Sequence, residues 1–228
     1  IVIDATAQDN PGEYFDTYGI VSAIDYAIGQ GANVINMSLG GPGYDMVMDE
    51  SVETAYESGV TVVVAAGNEG TDERVTPSDH NEVISVCNTT KRDVQFTTSY
   101  GDGGSNYGQP KDISAPGTDI LSTVPGGYEE YTGTSMASPV VAAVAAMVYA
   151  VNPDLTPAQV KNILCGTARD VNRAGYDYYT GYGIVNALDA VTAAMAADTG
   201  ILDVGDDVAA MLAFVKCHGI ILLHDADQ

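Results

Sequence analysis

Two β-branched runs, residues 33–37 and 60–65, each lead into a glycine-bearing turn, with an amphipathic stretch, 45–58, between them. Upstream, Ile20, Val21, Ile24 and Ile28 recur at helical spacing until Gly29 and Gly31 stop the pattern. Residues 1–5 read as a further strand, buried and apolar. Strand, helix, strand, helix, strand predicts an α/β fold of three layers, a mostly parallel sheet flanked by helices. In such sheets chemistry collects at the carboxyl ends of the strands. Ser38-Leu39-Gly40-Gly41 and Ala66-Gly67-Asn68 both fall there. With 228 residues the chain can bury one sizeable core.

From 71 to 131 the pattern shortens to strands near 83–86, 94–97, 112–114 and 119–124, broken by Gly, Asn and Asp turns. The polar run 99–109 reads as a loop. An apolar, alanine-rich stretch, 140–151, then predicts a helix that is hydrophobic nearly all round and therefore buried. Directly before it stands Gly133-Thr134-Ser135-Met136-Ala137-Ser138-Pro139, which puts Ser135 at a helix N-terminus. Free N–H groups and the positive end of the helix dipole there favour a developing negative charge. The same residue serves equally well as a plain N-cap. Thr156-Pro157 opens another helix, residues 175–183 predict a tyrosine-rich hairpin, and a last helix runs from 185 to 196.

Thirty-one acidic residues against eight basic ones give a formal charge of −23. That argues against nucleic acid or an anionic membrane surface as partner. It fits a protein outside the cell, and equally a solvated acidic surface. Cys87, Cys165 and Cys217 have neither metal-ligand nor redox spacing, and no metal site follows from them. The apolar run 208–223 contains Lys216 and His218 and is too short to span a bilayer.

The nucleophile-like heptapeptide resembles the active-serine motif of the subtilisin-like serine proteases. Val63-Val64-Ala65-Ala66-Gly67-Asn68-Glu69-Gly70 resembles their oxyanion-hole segment, and Val34-Ile35-Asn36-Met37-Ser38-Leu39-Gly40-Gly41 their substrate-binding strand. Smaller matches follow in order at 114–117, 122–126 and 181–187, so the likeness covers residues 1–196. It implies a serine endopeptidase that acylates Ser135, with its own N–H and the Asn68 amide as oxyanion donors. Ser38, Leu39 and Gly40 would form one wall of a groove for an extended peptide, and Ala65, Ala66 and Gly67 the other, beside Thr134. The implied partner is a peptide or protein substrate. The implied location is extracellular or the cell surface, the implied state a monomer. No cofactor is required, although calcium is compatible with the family.

The family pattern also needs an acid and a histidine, both N-terminal to the serine. Neither motif is present. His80 stands in a polar loop, His218 and His224 lie beyond the resemblance, and Asp4 corresponds to a segment downstream of both missing motifs. The sequence starts at Ile1, without methionine, so the expectation is an N-terminally incomplete domain whose base and acid come from a preceding segment. The alternative is a degenerate, non-catalytic peptide-binding module. Val140 stands where relatives often carry histidine, and the tyrosine-proline pattern after Asn68 is missing, which puts a cation site there in doubt.

Residues 197–228 read as a separate helical or degenerate dockerin-like tail. Gly200, Asp203 and Asp206 have calcium-loop spacing before an apolar helix at 208–215, but Met195, Ala197 and Thr199 occupy the first ligand positions.

Overall fold

The computed structural model describes residues 1–5, 15–97, 103–197 and 220–224. The core is a five-stranded parallel sheet of β1 (Val34–Ser38), β3 (Thr61–Ala65), β5 (Val83–Thr89), β6 (Ile113–Pro116) and β9 (Ile220–His224), ordered β6-β5-β3-β1-β9. Two short antiparallel pairs stand outside it. These are β2 (Gly41–Pro42) with β4 (Val75–Thr76), and β7 (Ile120–Val124) with β8 (Gly127–Tyr131). Helices α1 (Thr17–Gly29) and α2 (Met46–Glu57) cover one face of the sheet. Helices α3 (Thr134–Val151), α4 (Pro157–Gly166) and α5 (Ala187–Ala197) cover the other.

Strand alternation sorts the core into two halves. Val34, Val63, Ile84 and Val86 pack on the α3 side, whereas Ile35, Met37, Val62 and Val64 pack on the α1 and α2 side. Asn36 and Ser38 share the phase of Val34, so their polar side chains sit under α3. The predicted three-layer sheet is therefore present, and buried on both faces. Helix α3 is apolar and long enough to cross a membrane, but most of it is buried, as a core helix is.

Local signals place the helix starts as read. Asp16 caps α1 through the Gly19 N–H, and Asp45 caps α2 through Val47 and Met48. Thr156 and Gln159 form a capping box ahead of Pro157. The tyrosine-rich segment turns back on itself through paired Asp177 and Gly181 backbone hydrogen bonds.

Three expectations need correction. Residues 1–5 are not a buried strand: Ile1 and Val2 are exposed and only Ala5 is buried. Both edges of β1 are taken, by β3 and β9, which leaves residues 1–5 no ladder there. The 94–97 strand reduces to isolated bridges at Gln95 and Thr97. In the tail, 220–224 is a strand paired with β1 and not part of a helical appendage. The expected helix at 208–215, the calcium-loop positions Gly200, Asp203 and Asp206, and also Cys217 and His218, lie outside the described residues.

Charge pairs tie α4 and the loop after β4 to the sheet. Lys161 Nζ lies 2.9 Å from Asp112 Oδ1 and donates to the Asn81 and Val83 carbonyls at 3.1 and 2.7 Å. Ser85 N donates to the other Asp112 oxygen at 2.8 Å. Burial pushes the Asp112 carboxyl upward and the Lys161 ammonium opposes that shift. Removing Lys161 would leave the buried Asp112 carboxyl without its cation, a loss of about 3 kcal/mol, whereas the partly exposed Lys161 would lose less without Asp112. Fully buried Lys111 pairs with Asp79 in the same region. Burial likewise pushes the Cys87 and Cys165 thiols up to about 12, so neither is a nucleophile at neutral pH.

Candidate active site

Asn68 follows β3 after Gly67, whose φ of 97° suits glycine. A Cβ on Gly67 would collide with the Asn106 amide, so the turn closes tightly. Asn68 Oδ1 accepts from Thr134 N at 2.8 Å and from the Thr134 hydroxyl at 3.1 Å. That hydroxyl in turn accepts from Gly67 N at 3.1 Å. With its oxygen pinned on α3, the carboxamide presents Nδ2 as its remaining donor. No described residue accepts from it.

Ser135 occupies the first turn of α3. The N-cap, Gly133, is extended and has no side chain to satisfy the first N–H groups. Asn68 takes that of Thr134, and Met136 N donates to the Gly133 carbonyl at 3.1 Å. No described residue accepts from the Ser135 N–H. Ser135 is 7% exposed, and its Oγ makes one weak contact, with the Ser38 carbonyl at 3.4 Å.

These groups meet in one cleft of about 510 Å³. Ser38, Leu39 and Gly40 line one side and Ala65, Gly67 and Asn68 another, with Thr134 and Ser135 between. Ala66 does not line the cleft: it is fully buried and its N–H bonds the Val86 carbonyl. The remaining sequence-predicted positions converge, although they come from three distant segments.

Two residues of this region escaped the sequence reading. Glu69 Oε2 accepts from Asn68 N at 3.0 Å and from Asn106 Nδ2 at 2.6 Å. Asn106 Oδ1 takes the Thr71 N–H at 3.1 Å. Together they brace the loop that carries Asn68. Glu69 directly follows Asn68, which is a signal that could have been read. Asn106 lies in a polar loop with no such mark.

Asp16 and Asp45 lie at the α1 and α2 end of the cleft, with Glu73 and Arg74 also in its lining. A hydrogen bond from the Thr17 hydroxyl holds Asp45 below the usual carboxylate range, so it is charged at neutral pH. No described histidine side chain lines the cleft. His80 pairs with Glu82 at 2.7 Å in a separate polar recess. Asp4 lies outside the cleft lining as well. The backbone register of β9 sets His224 opposite Ser38.

The subtilase family model matches residues 5–183. Subtilisin DY of Bacillus licheniformis is 38% identical over 174 residues, covering 73% of this chain and 60% of its own. An extracellular protease of Xanthomonas campestris pv. campestris is 45% identical over 188 residues, covering 78% of this chain and 31% of its own. Among solved structures, a protease of Pseudoalteromonas arctica superposes with a TM-score of 0.71 at 33% identity, over 79% of this chain and 59% of that one. The chain thus spans less than two thirds of the length of each of these relatives. The parallel sheet, the serine at the start of its core helix and the asparagine fixed against that helix agree with the match over most of the sequence, and the chain belongs to the subtilase family.

Proposed function

We propose that this chain carries the nucleophile and the oxyanion donors of a serine endopeptidase. The observation that carries the reading is the pinning of Asn68 Oδ1 by Thr134 N and Oγ1, which leaves the N–H₂ group as the remaining donor of Asn68 in a cleft that Ser135 also lines. An extended peptide would pair with 38–40 as an added strand, its scissile carbonyl over Ser135 Oγ. Attack forms the Oγ–C bond as the hydroxyl proton passes to a histidine. The carbonyl oxygen becomes an anion held by Ser135 N–H and Asn68 Nδ2, and collapse of the adduct expels the amine with that proton. Water then repeats the sequence on the acyl-enzyme.

The histidine and its orienting acid come from a segment outside the 228 residues. The catalytic groups carried by this chain lie within residues 1–196, while 220–224 adds the strand β9 to the same sheet. The Xanthomonas relative's description as extracellular supports a site of action outside the cell, as does the strong negative charge.

Hydrolysis of a peptide ester by the purified 228-residue chain tests the assignment. Without the base, kcat falls by about 2 × 10⁶, the figure measured for subtilisin, so turnover stays at background. Turnover near that of a complete protease would overturn the need for an outside base. If such turnover vanished in His224→Ala, the base would belong to β9.

A further inference from the structure

Pro139 lies inside α3 and has no N–H to give the carbonyl four residues earlier, which is that of Ser135. Its ring also pushes that carbonyl away from the helix. The oxygen would be a buried orphan beside the reacting hydroxyl. Ser38 Oγ donates to it at 2.9 Å.

The rest of the network fixes which way the Ser38 proton points. Asn36 Nδ2 donates to Ser38 Oγ at 3.0 Å, and Ser138 Oγ lies 3.1 Å away. A hydroxyl has one proton and two lone pairs. With its proton on the Ser135 carbonyl, Ser38 must accept from both Asn36 and Ser138. Asn36, Ser38 and Ser138 are all buried, so water does not compete.

We infer that Ser38 is a positioning residue for the nucleophile: its side-chain hydroxyl replaces the helix hydrogen bond that Pro139 removes, and so anchors the Ser135 backbone to the end of β1. This role differs from a wall of the peptide groove, which uses the backbone of 38–40. It rests on the proposed function only for its kinetic consequence. The anchoring itself can be tested without activity.

The test is a double-mutant cycle of Ser38→Ala and Pro139→Ala, read first by urea midpoint. Alanine at 139 restores an N–H four residues after Ser135, so the Ser135 carbonyl no longer depends on Ser38. S38A is expected to lower the midpoint, and S38A/P139A to recover at least about half of the loss. In the protein with its base present, S38A should lower kcat about ten-fold with KM within about two-fold, and P139A should restore part of that. Ser138→Ala, which spares the bond to Ser135, should cost less than S38A in both measurements. Additive midpoints in the cycle would overturn the inference, even if the chain proves to be a protease. Should S38A not fold, folding of S38A/P139A supports the anchor, and failure of both refutes it. A coupled midpoint with no hydrolysis in any variant would keep the anchor and remove the enzyme.

Discussion

Ser135→Ala is expected to abolish peptide hydrolysis, with kcat about 2 × 10⁶ lower, the loss measured when subtilisin is stripped of its nucleophile. Stability should hardly move. Ser135 Oγ makes only the long contact to the Ser38 carbonyl, so losing it leaves no good hydrogen bond broken. The measurement is single-turnover hydrolysis of a peptide ester by the chain joined to the segment proposed to carry the histidine and acid, beside a urea titration of the same variant. Loss of activity with an unchanged midpoint separates chemistry from folding. Retained acylation would assign the nucleophile elsewhere.

Asn68→Ala should be the next most damaging change. One oxyanion donor in subtilisin is worth about 10²–10³ in kcat, and KM should stay nearly constant because the bond forms chiefly in the transition state. A second effect is specific to the geometry here. Asn68 Oδ1 also satisfies the buried Thr134, so the variant should lose about 1 kcal/mol of stability. A rise in KM with unchanged kcat would make Asn68 a substrate-binding residue instead.

The sequence made the central sheet and the serine's helix legible because each rests on a local cause. β-branched runs and amphipathic periodicity reach into every core strand from 34 to 65. Gly133 and the apolar run after it define the start of α3. Failures arose where a choice is made through space. Ile1-Val2-Ile3 reads as a strand, but nothing in those residues says which sheet edge is vacant, and β9 takes it. β8, with Glu129 and Glu130 exposed, carries no alternation to betray it and is held by β7 across Gly126. From its motif Ser38 reads as groove wall. Its hydroxyl's part under α3 depends on Pro139, one hundred and one positions away, and only the packed structure brings them together.

The same distinction applies to the site. Ser135 and Asn68 stand in motifs and could be named. Glu69 and Asn106, which hold the Asn68 loop, act through contacts across 37 positions. The charged bolt of Lys161 on Asp112 is equally invisible along the chain, since its two other acceptors are backbone carbonyls.

The most direct measurement is a crystal structure of the protein with a peptide boronate, whose tetrahedral boron mimics the acyl-transfer intermediate. The oxyanion site proposed for Ser135 and Asn68 requires the boron bonded to Ser135 Oγ and one boronate oxygen about 3 Å from both Ser135 N and Asn68 Nδ2. A boronate on another residue, or an oxygen turned away from Asn68, would contradict it.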